Sequence, residues 1–280
     1  MERRGYLLAM LIPVAAVVAA FLGVPLFFTL LDSLRVEGGT FPSLQNYYRI
    51  LTSRLYLNSF RTSLLLSLST TALGMLFGVP LSYFIYGLRG RLKSLVLFVV
   101  ALPLTFSGLV VGFAFIVLLG ASGFITLSLK ELFGVNPLSF SRFLFTWKGL
   151  MVAYLYFLIP RTILTMMSAW ERFDWNLVDA ARSLGASWWT TVFRVVLPVV
   201  APALLASSSL IFAVSMGAFG TAFALTGTQV NIVPLLIYTH MSEVGVDLGR
   251  ASALSVLLAL LTTGLVLVYE AGFRGDRRGA

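Results

Sequence analysis

Few residues of this 280-residue chain could do covalent or redox chemistry, and that scarcity is the first constraint. There is no cysteine, and His240 is the sole histidine. Thiolate nucleophiles, disulfides, Cys–His pairs and metal sites built from thiolates or several imidazoles are therefore excluded. No G-x-x-x-x-G-K-[ST] run occurs, so the chain has no phosphate-cradling loop with which to hydrolyse ATP itself. What remains are charged side chains in unusual company. Asp179 and Arg182 stand among small residues, and Arg161 follows Pro160 inside an otherwise apolar stretch. Docking and ion recognition are the chemistry these groups can serve.

The elements that must position them follow from composition. The chain is 59% hydrophobic and 11% charged, with a mean hydropathy of +0.94. A soluble domain is about 45–50% apolar and about 25% charged, so there is too little charge to cover a water-facing surface. A membrane helix needs roughly 20 apolar residues. Uncharged runs place six such spans at about 7–31, 62–88, 94–119, 149–169, 196–223 and 251–270, and the whole chain, 1–280, reads as one membrane domain. Glu2-Arg3-Arg4 before an apolar run also fits a signal peptide, but the run far exceeds an h-region of about 7–15 residues, and a retained span is expected. The formal charge of +9 would suggest nucleic-acid binding in a soluble protein. In a membrane protein the placement of the positives matters more, so lipid and not nucleic acid is the expected surrounding.

That placement gives the orientation. Arg3 and Arg4, the tight turn Arg89-Gly90-Arg91-Leu92-Lys93, Arg172, Arg182, Arg194, and Arg274, Arg277 and Arg278 fall on one side. Positives on the other side are spread over long loops that also carry acids. An N-in, C-in topology follows, with the loop between spans four and five in the cytoplasm. On the outer side, Leu44, Tyr47, Tyr48, Ile50, Leu51, Leu55 and Leu57 recur at near-helical spacing after Pro42-Ser43, which predicts an amphipathic helix lying at the surface. Thr226–Asn231 is a turn-rich outer segment, either a connector or a contact for a soluble protein. His240 reads as an interfacial residue.

The loop at about 171–195 predicts two short helices. Asp174 can cap the first and Gly185 end it; Ser187 can cap the second, which runs toward Pro198. Leu177, Ala181 and Leu184 share one face of the first helix. Trp170, Trp175, Trp188 and Trp189 also suit an ordinary amphipathic loop at headgroup level. The competing reading is a compact docking knob of small residues for a soluble partner.

The spacing favours the knob. Asp179-Ala180-Ala181, then Gly185, then nine residues to Val195-Val196-Leu197-Pro198, closely resembles the signature loop of permeases in binding-protein-dependent ABC importers. That pattern is Glu-Ala-Ala, three residues, Gly, nine residues, Ile-x-Leu-Pro; Asp at 179 and Val at 195 depart from it conservatively. The resemblance implies an all-α, type I importer permease fold in the bacterial inner membrane, with this loop as a coupling helix. It implies that Asp179, Ala180, Ala181, Leu184, Gly185 and Pro198 form the contact with a cytoplasmic ATPase dimer, which would hold ATP and Mg. The chain itself would bind no cofactor and catalyse nothing. A second permease subunit and an extracytoplasmic binding protein would complete the importer.

The outer Ser43-Leu44-Gln45-Asn46-Tyr47-Tyr48 and the glycine-rich end of span five are similar to the branch serving spermidine and putrescine, so a polyamine is the first expected cargo. Phosphonate, ferric iron, sulfate and thiamine are alternatives, and an ion-coupled secondary transporter is a remote one. Arg161, Ser107 and Ser215 are the pathway-lining residues singled out. A charge at mid-membrane costs roughly 2.5–3.5 kcal/mol and faces protein or water. Arg161 either lines the pathway, touching an anionic solute, or snorkels and pairs with the coupling loop. Its place in the inner half of the span fits the second better. Pro103 and Pro160 can kink spans three and four. The small residues of spans three and five either pack helices closely or line an aqueous path.

Overall fold

Inside hydrocarbon every backbone amide must find its partner within its own segment, so runs this apolar form helices. The computed structural model describes residues 13–36, 41–227, 229–242 and 246–276, with side chains as far as Ala271. The beginning of the first expected span, Arg3, Arg4, Arg277, Arg278 and Thr228 lie outside the described residues. The helices are α1 (Pro13–Ser33), α2 (Gln45–Thr52), α3 (Arg54–Tyr86), α4 (Gly90–Ala101), α5 (Gly108–Leu119), α6 (Phe124–Phe133) and α7 (Pro137–Leu144). They continue with α8 (Trp147–Arg172), α9 (Asn176–Ser183), α10 (Trp188–Gly217), α11 (Gly220–Thr226), α12 (Val233–Ser242) and α13 (Leu248–Asp276). Among the described residues six segments are long and apolar enough to cross a membrane: α1, α3, the run Gly108–Phe133, α8, α10, and α13 to Ala271.

Two expected spans have different bounds in the structure. The span expected over 94–119 is interrupted: α4 ends at Ala101, a 3-10 turn carries Pro103 through Leu102–Thr105, and Phe106 and Ser107 are extended before α5 begins. Pro103 has no amide to donate and Ser107 caps the new helix, its Oγ accepting the Val110 amide at 3.4 Å. The fifth span, expected to reach 223, ends at Gly217 and restarts as α11. The carbonyl of Ala218 at this break accepts a 2.6 Å hydrogen bond from the buried Tyr154 hydroxyl, so the break leaves that acceptor satisfied. Span four, by contrast, stays helical through Pro160-Arg161.

Where the sequence reads as one domain, the contacts fall into two compact units. In the first, from the stretches up to Arg61 and over Ile232–Leu261, α2 is amphipathic: Gln45, Tyr48, Arg49, Leu51 and Thr52 are exposed, while Asn46 and Ile50 are drawn inward. Asn46 is the anchor. It is buried, and its Nδ2 donates to the carbonyls of Ser33 at 3.1 Å and Arg35 at 2.8 Å. Ile50 and Tyr56 then join Val233, Leu236, Ala253 and Leu254 in a core, and the Tyr56 hydroxyl meets His240 Nε2 at 2.9 Å.

In the second unit, α3, α8 and α10 pack through small and hydroxyl residues. Thr70 and Ser215 share a 2.9 Å hydrogen bond between α3 and α10, and a methyl on Gly78 would meet Thr162 at 2.6 Å. Gly108 and Gly112, one helical turn apart on α5, lie against α11: a methyl on Gly112 would meet the Ala224 Cβ at 2.5 Å. This is close helix packing of the small-xxx-small kind, which accounts for most of the small residues in question.

Candidate functional site

The segment between α8 and α10 is a knob with a firm root and an open tip. Asp174 starts it one residue earlier than a standard cap: its Oδ1 accepts the Asn176 amide at 3.1 Å, just before α9. Gly185 ends it with φ +79°. The Gly185 amide donates to the Arg182 carbonyl at 2.9 Å and the Ala186 amide to the Ala181 carbonyl at 3.0 Å, the paired bonds of a Schellman turn. A side chain at 185 would meet nothing within 4 Å, so glycine is required for its backbone conformation alone. Ser187 caps the next helix, its Oγ accepting the Thr190 amide at 3.3 Å.

The tip is Asp179, Ala180, Leu184 and Gly185, all exposed, with Ala181 half-buried. Leu184 is 89% exposed, although Val178, six residues earlier, is buried in the core. The root combines Phe173 and Val178, which carry no signal in the sequence, with Trp170 and Trp175, which do not lie at headgroup level as one reading had them. Val178 and Phe173 are buried with Met166, Trp170 and Val200. Trp175 Nε1 donates to the Tyr86 hydroxyl at 2.9 Å with the two rings stacked, and Trp170 Nε1 donates to Ser82 Oγ at 2.8 Å. The four tryptophans therefore divide. Trp170 and Trp175 are structural, whereas Trp188 and Trp189 remain exposed, where an interfacial position suits them. Lys93 of the basic turn reaches Glu171 at 3.2 Å, tying α4 to the end of α8.

Beyond the tip, α10 runs without a break from Trp188 to Gly217, about 45 Å at 1.5 Å per residue. The second short helix and the fifth span are thus one element. A π turn at Val192–Val196 precedes Pro198, which has no amide to give the ladder. Pro198 lies within this helix rather than at the knob's tip, so any role it has in coupling acts through α10.

The far end of α10 reaches a cavity of about 280 Å³. Its wall includes Pro103, Phe106, Phe157, Arg161, Gly217 and Thr221. Arg161 is half-buried, about 16 Å along α8 from Arg172, with its guanidinium 5.6 Å from the Phe157 ring centre. It forms no ion pair or hydrogen bond with the knob, or with any acid, among the described residues. Ser107 stands next to the cavity, its hydroxyl engaged as the cap of α5. Ser215 is placed elsewhere: it is buried against Thr70, so its hydroxyl serves helix packing and not a lining surface. Tyr154 and Phe157 of α8 and Thr221 of α11 carry no signal in the sequence for this place, because two separate elements bring them to the cavity and the helix break beside it.

Comparison with known proteins finds a matching family, related permeases and a solved transporter of similar fold. The family described as "Binding-protein-dependent transport system inner membrane component" matches residues 70–273. The molybdenum transport system permease protein ModB of Haemophilus influenzae is 31% identical over 206 residues, 70% of this chain and 87% of ModB. The spermidine/putrescine transport system permease protein PotB of the same organism is 31% identical over 229 residues, 82% of this chain and 79% of PotB. Among solved structures, a bacterial alginate ABC transporter, crystallised in complex with an alginate pentasaccharide-bound periplasmic protein, superposes with a TM-score of 0.75 at 17% identity. That match covers 96% of this chain and 93% of the other.

Proposed function

The chain belongs to the family of binding-protein-dependent transport system inner membrane components, and from that premise we propose that it forms half of the translocation pathway of an ATP-driven importer, for a small polar solute handed over by an extracytoplasmic binding protein. It is a multi-pass inner-membrane transport subunit of the type I permease fold, not an enzyme. In this reading a second permease subunit supplies the other half, and a cytoplasmic ATPase pair, holding ATP and Mg, receives the tip of α9. Asp179, Ala180, Ala181, Leu184 and Gly185 are the contact, small enough to let the partner's backbone approach.

One observation carries the reading: the exposed tip at Leu184–Gly185 leads directly into the unbroken α10, whose other end lines the Arg161 cavity. When the ATPases close, a displaced tip moves α10 as a unit, and the root on Trp170, Trp175 and Val178 carries α8 and α3 with it. Rigid elements with packed roots transmit such displacements because cores do not deform continuously. Alternating access follows, ATP binding turning the pathway outward and hydrolysis resetting it.

For the cargo, likeness to PotB supports the polyamine expected from the sequence, and likeness to ModB, at the same 31% identity, supports a molybdenum-containing anion. The importer reading is tested by tagging the chain, extracting native membranes in mild detergent and identifying co-purifying proteins by mass spectrometry. An ATPase and a second permease are expected with the wild type and much reduced with Gly185→Asp. An unchanged yield of both with the variant, together with unchanged uptake, contradicts the docking assignment.

A further inference from the structure

We infer that the cavity beside Arg161 selects anions, and that the cargo passing it is a small oxyanion and not a polyamine; this deepens, and rests on, the importer reading. The first reason is the sign of the only formal charge on the wall. Among the described residues no Asp or Glu lines the cavity, and the Arg161 guanidinium has no acidic or hydrogen-bonding partner. A guanidinium at this depth is placed where it faces protein or water, and its planar fork of donors fits two oxygens of one anion.

The second reason is what the wall offers a cation. Two of its backbone acceptors are already engaged: the Gly108 carbonyl accepts from the Thr221 hydroxyl at 2.9 Å, and the Ala218 carbonyl from the Tyr154 hydroxyl at 2.6 Å. Three phenylalanines line the wall: Arg161 stands over Phe157 at 5.6 Å, Phe219 stacks on Phe223, and Phe106 offers a ring whose attraction for a cation must compete with the charge of Arg161. A polyamine entering here would meet a like charge without a carboxylate to offset it. An oxyanion would meet the Arg161 guanidinium, which has no acidic or hydrogen-bonding partner among the described residues. The volume of about 280 Å³ corresponds to about nine waters, enough for a tetrahedral anion that keeps part of its hydration.

The third reason is position. Val214 and Gly217 of α10 form part of the same wall, so the helix that begins beside the knob also moves the surface facing Arg161. An ion held at the guanidinium in one state would be released as that surface shifts.

The test uses the importer assembled with its own ATPase, partner permease and binding protein in proteoliposomes. ATP-driven uptake of radiolabelled molybdate, sulfate and phosphate is compared with that of spermidine and putrescine. At least one oxyanion is expected to accumulate while both polyamines stay at background. Arg161→Gln should lower the oxyanion uptake about tenfold or more, as expected for losing a charged hydrogen bond. Arg161→Lys, which keeps the charge, should retain clearly more uptake than Arg161→Gln. Co-purification of the ATPase with each variant reports that it folds and assembles. Uptake of none of the three oxyanions overturns the inference, as does wild-type uptake by Arg161→Gln. Polyamine uptake with an ATPase attached removes the anion assignment and leaves the importer intact. A wild-type chain that purifies without any ATPase removes the importer reading itself.

Discussion

The indole of Trp175 donates to the hydroxyl of Tyr86 at 2.9 Å, and the two rings stack with centres 5.6 Å apart. This one pair joins the knob between α8 and α10 to the last residue of α3. It gives the docking tip a fixed relation to the helices it is proposed to move.

Tyr86→Phe keeps the stacked ring and leaves the Trp175 N–H without its partner. A half-buried donor left unsatisfied costs about 1–3 kcal/mol, so thermal unfolding in detergent should begin at lower temperature. The ATPase should still co-purify, but solute moved per ATP hydrolysed should fall, because the root of the knob is loosened while its tip is intact. An unchanged ratio of uptake to hydrolysis contradicts this role.

Gly185 separates backbone cost from steric cost. At φ +79°, with open space where a side chain would stand, Gly185→Ala should destabilise by about 1–2 kcal/mol and Gly185→Asn by less. Circular dichroism melts of the two variants check the order. Equal melts for alanine and asparagine would show that the left-handed turn does not limit stability.

Gly112 and Gly217 make a matched comparison. A methyl on Gly112 would meet Ala224 at 2.5 Å, whereas Gly217 has nothing within 4 Å. Gly112→Ala should lower the melting temperature through overpacking worth about 1–3 kcal/mol, and Gly217→Ala should leave it close to wild type. The reverse order would mean that α5 and α11 are not packed as described.

Asn46→Asp tests why this side of α2 is drawn inward. The carboxylate has no donor to offer the Ser33 and Arg35 carbonyls, which its neighbour's geometry places at 3.1 and 2.8 Å from Nδ2. A loss of about 1–3 kcal/mol is expected, with Asn46→Ala closer to wild type than Asn46→Asp because it adds no repelling charge. Chemical denaturation of the purified chain distinguishes the two.

Much of this was legible in the residues. Charge-free runs reveal membrane helices because hydrocarbon tolerates no alternative, and the spacing from Asp179 to Gly185 fits a short helix closed by a left-handed residue. The Ser187 cap is equally local. The interruption at Leu102–Ser107 was harder to see, since Pro103 alone signals a kink as readily as a break. Asn46 looked like one polar position of an amphipathic helix, and only the carbonyls 11 and 13 residues away make it a buried anchor. Ser215 carries a hydroxyl that could line water, and its partner Thr70 places it in helix packing instead, whereas Ser107 caps α5 and stays exposed beside the cavity. Arg161 was the most ambiguous. Whether such a charge snorkels or lines a cavity depends on α8, α10, α11 and the turn at Pro103 converging, which no single stretch of sequence encodes.

Leu184→Asp offers the most direct test of the docking tip. Leu184 is 89% exposed and makes no core contact that its loss would empty, so the variant should melt with the wild type. The measurement is the amount of ATPase recovered per permease from native membranes, wild type against Leu184→Asp, at equal permease yield. A fall of about tenfold is expected, as for a charge placed at the centre of an apolar contact. Full recovery of the ATPase with Leu184→Asp, accompanied by normal uptake, would place the docking surface elsewhere on the chain.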